Sequence, residues 1–248
     1  MRYTKYSKYR DALYPLFTGR GGPVACLLAA SLLAGVVPAT AQVPPGAAQV
    51  AAYRGLHAAA HLGDLAEIGR LVAAKTDLDA RDTDGRTAVH IAAFARQRGA
   101  LQALAQAGAD LQRLEHDRYD AVTIAAVADD EVTLRTLLNL GASAKQVTSR
   151  YDGTALIAAA HLGHDGVVRQ LIHAGVPLDH VNNLHWTAVI ESIVLGNGGA
   201  RHQATLQALI SAGANLQLTD RQGNSPLALA QTHGHREMVQ MLQKAGAK

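Results

Sequence analysis

Small apolar residues recur along the chain at a regular spacing, each run beginning just after a turn-forming segment. The clearest copy reads D-T-D-G-R-T-A-V-H-I-A-A over residues 82–93. Six related copies start at Arg54, Thr87, Asp120, Thr154, Thr187 and Ser225, which gives steps of 33, 33, 34, 33 and 38. A second marker repeats the same irregular step, at Gly108, Gly141, Gly175, Gly213 and Gly246. Two markers that share one irregularity indicate six repeats of about 33 residues.

Each repeat is predicted to form two helices. The Thr, Ser or Asp at the start of most copies can accept a hydrogen bond from a free backbone amide, a cap that contributes about 1 kcal/mol. Apolar residues then recur at helical spacing in the second helix, as at Leu134, Leu137 and Leu138. The closing glycines suit the left-handed residue that ends a helix. Repeat one lacks this glycine, and the last helix has a polar outer face, as expected of terminal repeats.

The period and the Thr-Pro-Leu-His-like helix start resemble the ankyrin repeat over residues 53–248. The resemblance implies an all-α solenoid of about six helix-turn-helix repeats with projecting β-hairpin turns. It also implies a concave groove that binds another protein. Two departures stand out: the histidine of the motif is present only as His57 and His90, and repeat three has Arg118-Tyr119-Asp120 where the family has Gly-x-Thr.

The amino terminus predicts export. Residues 1–41 contain a basic segment, an apolar run at 24–37 and an Ala39-Thr-Ala41 site, so we predict a secretory signal cut before Gln42. The apolar run is short for a membrane span, although an uncleaved anchor is the alternative. Residues 42–52 are predicted to be a linker, and 53–248 the repeat domain. With this signal the chain resembles bacterial exported, periplasmic ankyrin-repeat proteins, which it also resembles in segments 183–192 and 195–203.

Charge and cysteine content exclude several functions. The whole chain has a net charge of +3, but residues 1–41 hold five of the 23 basic and one of the 20 acidic residues, so the remainder carries −1. This balance argues against nucleic-acid binding. The single cysteine, Cys26, lies in the predicted signal. We therefore expect no disulfide and no thiol nucleophile in the mature protein. We also expect that it binds no cofactor, has no membrane span after cleavage and is a monomer.

Histidines and Glu191 are the candidates for chemistry. The twelve histidines do not form a set with a third metal ligand at matching spacing, and structural roles are expected for them. Glu191 stands where the other repeats have Ala58, Ile91, Ile124, Ala158 and Leu229, a variable position expected near the concave face. A buried unpaired carboxylate is costly, so Glu191 should be solvated or paired. We expect a hydrogen-bond anchor for the nearby insertion; the alternative is a catalytic pair with Arg201 or His202.

The 38-residue step places five extra residues around Gly196–Ala200 in repeat five. This segment lacks the Lys-Thr/Ser of a phosphate-binding loop. It is either a tolerated surface loop or a binding feature. Trp186 is expected to be exposed at a turn tip, because Trp, Tyr and Arg often dominate interfaces, although local packing is the alternative. The candidate partner-binding residues are Arg86, Tyr119, Tyr151, Trp186, Glu191, Asn197, Arg201 and His202.

These observations predict a non-enzymatic scaffold of the bacterial periplasm or envelope. It would bind a partner protein through its concave groove and hairpin tips. One alternative is an inhibitor or immunity-type partner of a toxin or enzyme. Another is a hydrolase or metal-dependent site around Glu191, His202 and the Gly196–Ala200 loop.

Overall fold

A computed structural model describes residues 42–248, where the chain forms thirteen helices. Helix α1 is a short leading helix, and the other twelve form six pairs. The bounds are α1 Ala47–Ala52, α2 Gly55–Leu62, α3 Leu65–Ala73, α4 Ala88–Phe94, α5 Arg98–Gln106, α6 Ala121–Val127, α7 Glu131–Asn139, α8 Ala155–Leu162, α9 Asp165–His173, α10 Ala188–Val194, α11 Ala200–Ser211, α12 Pro226–Thr232 and α13 Arg236–Lys244. The predicted all-α repeat architecture is confirmed.

The six pairs stack into two layers. The first helices of the repeats pack side by side as an inner row, α2, α4, α6, α8, α10 and α12. The second helices form a parallel outer row, and each packs against its inner partner and its neighbours. The core between the rows is aliphatic, with Ile91, Leu134 and Leu171 fully buried. Paired alanines such as Ala159 and Ala160 are also fully buried, which lets the inner helices approach closely.

The predicted helix starts and ends are largely confirmed. The side chains of Asp120, Thr154, Thr187 and Ser225 each accept a hydrogen bond from the third backbone amide of the helix that follows. All five closing glycines have positive φ, between 72° and 94°. In repeat one, which lacks the closing glycine, Lys75 adopts the left-handed conformation with φ 56°. The helix therefore ends in the same way as in the other repeats, but with a strained non-glycine residue.

The turns between repeats project as tight chain reversals. Each is closed by a backbone hydrogen bond, for example from Asp82 N–H to the Arg86 carbonyl and from Asn182 N–H to the Trp186 carbonyl. Among residues 42–248, the one β-type pairing is an isolated antiparallel bridge between Thr148 and Gly153. The hairpins are therefore turns rather than strand pairs.

Both ends of the described stack carry a cap. At the amino end Gln49, in α1, and Tyr53, just after it, donate hydrogen bonds to Asp84 and Asp82 of the first hairpin. At the carboxyl end α13 buries Met238 and Leu242. Its opposite face is exposed, as predicted, at Arg236, Glu237, Gln240, Gln243 and Lys244.

The compact unit runs from Pro44 to Lys248. The predicted signal, Cys26 and the cleavage residues Ala39 and Ala41 lie outside the described residues, so export stays a prediction. Between residues 42 and 248 no helix combines the length and the apolar character that crossing a membrane requires.

Candidate functional site

The side-chain oxygen atoms of one residue hold each hairpin turn in shape. In the second repeat's turn, Asp82 Oδ1 accepts hydrogen bonds from the backbone amides of Asp84 and Arg86, at 2.9 and 2.8 Å. Asn182 Oδ1 accepts in the same way from Leu184 and Trp186, both at 3.0 Å. The residues in this position are Asp82, Glu115, Ser149, Asn182 and Asp220. The turn therefore needs an acceptor oxygen, which a carboxylate, a hydroxyl or an amide can supply.

Trp186 and Arg86, which directly precede the helix caps of their repeats, are buried rather than exposed. Trp186 is 5% exposed and Arg86 is 7% exposed, so the expectation of an exposed tryptophan at a turn tip is wrong. The turn closes between residues 182 and 186, and this closure draws residue 186 back toward the helices. Arg86 is held by Asp84 at 2.8 Å and lies over the ring of Phe94. Local packing, the alternative left open for Trp186, is what the structure shows.

Tyr119 and Tyr151 are half-buried in neighbouring turns. Burial, together with the charges of Asp117 and Glu115, raises the pKa of Tyr119 to about 12. The two turns are joined by ion pairs, Arg118 to Asp152 at 2.8 Å and Arg150 to Asp117 at 3.1 Å. Their arginines are more exposed than the tyrosines, so the turn tips present charge and hydrogen-bonding groups more than aromatic rings.

The motif histidines serve the stack. His57 Nε2 lies 3.2 Å from the Arg86 carbonyl, and His90 Nε2 lies 3.2 Å from the Tyr119 carbonyl. His90 Nδ1 accepts from the Thr87 amide, so His90 is a neutral imidazole with its proton on Nε2. Burial lowers the pKa of His90 to about 4. These two histidines link neighbouring repeats, which is the structural role expected for them.

Glu191 is in the core. It is 4% exposed, and its equivalents Ile91, Ile124 and Leu229 are buried as well. The equivalents Ala58 and Ala158 are half-buried, so the exposure of this position varies between repeats and Glu191 lies at one of its buried copies. The expectation that its carboxylate is paired is confirmed. Asn182 Nδ2 donates to Glu191 Oε1 at 2.9 Å, and His161 Nδ1 lies 3.2 Å from Oε2.

The insertion is anchored by His202 rather than by Glu191. His202 is 9% exposed, with Nε2 2.9 Å from the His161 carbonyl and Nδ1 3.1 Å from Asn197 Oδ1. A Cβ on Gly163 would lie 2.9 Å from this ring, so the imidazole fills the space that a glycine leaves. Burial is the main cause that lowers the pKa of His202. The proposed pairing of Glu191 with His202 is not what the structure shows.

The extra residues also lengthen a helix. Helix α11 has 12 residues, whereas the other outer helices have 9 each. The added turn carries Arg201, which reaches back to Asp129 of repeat three at 2.8 Å and to Asp165 of repeat four at 3.4 Å. Arg201 is thus an ion-pair bridge across three repeats and not a partner of Glu191. Asn197 accepts from the Gly199 amide at 2.9 Å and shapes the loop itself.

Two residues that sequence reasoning missed, Asn182 and His161, complete the polar cluster with Glu191. The signal for Asn182 was present: the equivalent turn residues Asp82 and Asp220 are carboxylates. The amide side chain of asparagine keeps the acceptor oxygen that the turn needs. It also adds N–H groups that can donate a hydrogen bond to a neighbouring carboxylate. His161 gave no signal of its own, because its contact with Glu191 joins different repeats.

A groove of about 800 Å³ lies between the outer helices α7 and α9, away from Glu191. Its lining includes Arg135, Lys145 and Arg169. Glu131, also in the lining, accepts a hydrogen bond from Gln170 at 3.1 Å. Over residues 42–248, no three His, Cys, Asp or Glu side chains come together in a way that would hold a metal ion.

Comparisons with known proteins agree with this architecture. Two family models, both described as ankyrin repeats, match residues 156–248 and 56–105. The ankyrin repeat protein YahD of Escherichia coli K12 is 35% identical over 190 residues, which cover 76% of this chain and 94% of the relative. An ankyrin repeat domain from Acinetobacter baumannii AYE has a similar structure, with 44% identity, a TM-score of 0.73, and coverage of 78% of this chain and 98% of that one. The ankyrin repeat domain of Bcl-3, a member of the IkappaB family, has 26% identity, a TM-score of 0.71, and coverage of 79% and 87%.

Proposed function

Because the chain belongs to the ankyrin-repeat family, we propose that it is a protein-interaction scaffold exported to the bacterial periplasm, where it binds one envelope protein. A scaffold role is typical of the fold. Export rests on the predicted signal at residues 1–41, and the nature of the partner is part of the proposal. We further propose that the scaffold acts as a monomer.

The observation that supports a scaffold most directly is that the candidate chemical groups are engaged within the stack. His90, His202 and Glu191 each contact another repeat or turn. Arg201 bridges two carboxylates. Groups held in this way give a rigid surface, and a rigid surface binds with less loss of conformational entropy.

The binding surface is proposed to include the exposed turn tips. Arg118, Arg150, His185 and Arg221 are exposed at successive tips. Their backbone is ordered by contacts between turns, such as the Arg221 guanidinium donating to the Asn183 carbonyl at 2.7 Å. Trp186 and Arg86 are buried within the turns and do not belong to this surface.

The test is crosslinking in the envelope with a matched pair of variants. The tip variant is Arg150→Glu/His185→Glu, and the control is Arg236→Glu/Gln240→Glu on the exposed face of α13. Both make the same charge change at exposed sites. The tip variant also loses the exposed ion pair of Arg150 with Asp117, a contribution of less than about 1 kcal/mol to stability. We expect the wild-type protein and the control to crosslink one dominant envelope protein, and the tip variant to lose it.

Two results would count against the proposal. If the wild-type protein crosslinks no specific envelope protein, the scaffold function in that compartment is rejected. If the tip variant retains the partner and the α13 control loses it, the binding surface lies on the outer row instead.

A further inference from the structure

Repeat five contains two polar exceptions that touch each other. Glu191 stands where Ile91, Ile124 and Leu229 fill the core, and Asn182 stands where Asp82 and Asp220 hold their turns. Burying a carboxylate costs free energy that an aliphatic residue avoids. Since the neighbouring repeats stack without such a pair, the cluster is not needed for stacking itself.

The geometry around Glu191 determines the proton position on His161. A carboxylate only accepts hydrogen bonds, and Oε1 is already occupied by the Asn182 amide at 2.9 Å. Oε2 lies 3.2 Å from His161 Nδ1, a contact that is favourable when Nδ1 carries the proton. In the neutral imidazole the lone pair is then on Nε2, as in histidines whose other nitrogen is oriented by a carboxylate.

The Nε2 atom of His161 is not used inside the described stack. Within residues 42–248 no hydrogen bond to this atom is found, and it is not among the fully buried polar atoms that lack a partner, so it is accessible from outside. The side chain is 13% exposed. By contrast, His90 and His202 use both ring nitrogens. His161 is near the end of α8 in the inner row, and the equivalent residues of the two adjacent repeats are Val127 and Val194. His161 thus places a polar atom with a lone pair where both adjacent repeats have a valine.

We propose that Asn182 and Glu191 orient His161 so that its Nε2 accepts a hydrogen bond from a hydroxyl or N–H group of the bound partner polypeptide. This inference rests on the proposed scaffold function and adds the chemistry of one contact. A partner that places an apolar group there leaves the lone pair unsatisfied, so the contact selects for a donor.

The proton position can be measured without the partner. Protein purified from cells that express the full chain is labelled with ¹⁵N, and long-range ¹H–¹⁵N correlation spectra are recorded near pH 8. We expect His161 to show a protonated Nδ1 and an unprotonated Nε2. In Glu191→Gln the carboxamide can donate to Nδ1, and the proton should move to Nε2. A wild-type His161 protonated on Nε2 would overturn the proposal.

The accessibility of the lone pair is measured with diethyl pyrocarbonate. An unprotonated imidazole nitrogen attacks the reagent, takes its ethoxycarbonyl group and releases carbon dioxide and ethanol. Peptide mass spectrometry should find His161 modified and His90, with both nitrogens engaged, protected. A His161 as unreactive as His90 would show that no partner group can reach Nε2.

The contact itself is tested with the partner crosslinked in the envelope. His161→Leu removes the acceptor, and His173→Leu on α9 is the exposed control. We expect His161→Leu to weaken binding by about tenfold, the effect of one lost hydrogen bond, and the control to bind as the wild-type protein does. If His161→Leu binds the partner with the same affinity as the wild-type protein, this contact is rejected, whereas the proposed scaffold function is unaffected. Failure of the wild-type protein to bind any partner rejects both.

Discussion

The substitution Asn182→Asp gives the sharpest test of the buried cluster. It is nearly isosteric, and the turn should still form, because Asp82 and Asp220 hold equivalent turns. What changes is the contact with Glu191. The amide that donates to Oε1 at 2.9 Å becomes a second carboxylate, with both residues 4% exposed.

The loss of stability should be large for so small a change. A hydrogen bond to a charged acceptor contributes about 1.5–3 kcal/mol. Two full charges at this separation repel by roughly 5 kcal/mol at an effective dielectric constant of about 20, which protonation of one carboxyl relieves in part. We expect a net loss of about 3 kcal/mol near pH 7. For a domain of this size the melting temperature should fall by roughly 6–12 °C.

The assay is thermal and urea unfolding followed by circular dichroism, near pH 7 and near pH 5. The defect should be smaller at the lower pH, because a proton shared between the carboxyls removes the repulsion. The double variant Asn182→Asp/Glu191→Leu should recover most of the loss, since it recreates the pairing of Asp220 with Leu229 in repeat six. The reasoning is refuted if Asn182→Asp is as stable as the wild-type protein, or if the double variant is no better than the single one.

Three further predictions concern the stack. Gly141 has φ 90°, with no atom within 4 Å of the position that a Cβ would take, so Gly141→Val should destabilise the fold by about 1–2 kcal/mol through backbone strain alone. The control Gly69→Ala, inside α3, should be neutral or stabilising by up to about 1 kcal/mol. Equal melting temperatures for the two variants would contradict this account. Trp186→Ala should cost about 3–5 kcal/mol in urea unfolding, and solvent-like fluorescence from this single tryptophan in the native protein would show that it is not buried. Because the pKa of His90 is lowered to about 4 in the fold, the unfolded chain binds a proton below about pH 6.5 that the folded protein does not, and the free energy of unfolding should fall by about 2 kcal/mol from pH 7 to pH 5. His90→Asn should be less stable than the wild-type protein near pH 7, but its stability should change less over this pH range. An equally steep decrease in the stability of His90→Asn would exclude His90 as the cause.

Much of the fold was predictable because it depends on local patterns. The apolar spacing, the capping residues and the closing glycines each act within a few residues, and they recur with one period. The positive φ of Gly108, Gly141 and Gly213 and the caps at Thr154 and Thr187 follow from that periodic pattern. The wrong expectations concerned the exposure of Trp186 and the partners of Glu191, because burial and side-chain contacts depend on which way a turn closes and on what a neighbouring repeat contributes.

The repeat number, the helix pairs, the family and the irregular step could all be read from the amino-acid sequence, since each depends on residues that are close together in the chain. The partners of the buried polar side chains became known from the stacked repeats alone. Glu191 meets Asn182 nine residues away but also His161 of the preceding repeat, and Arg201 reaches Asp129 across 72 residues. Such contacts depend on the stacking of separate repeats. Stacking brings together side chains that are far apart in the sequence, so the spacing of residues within one repeat does not predict them.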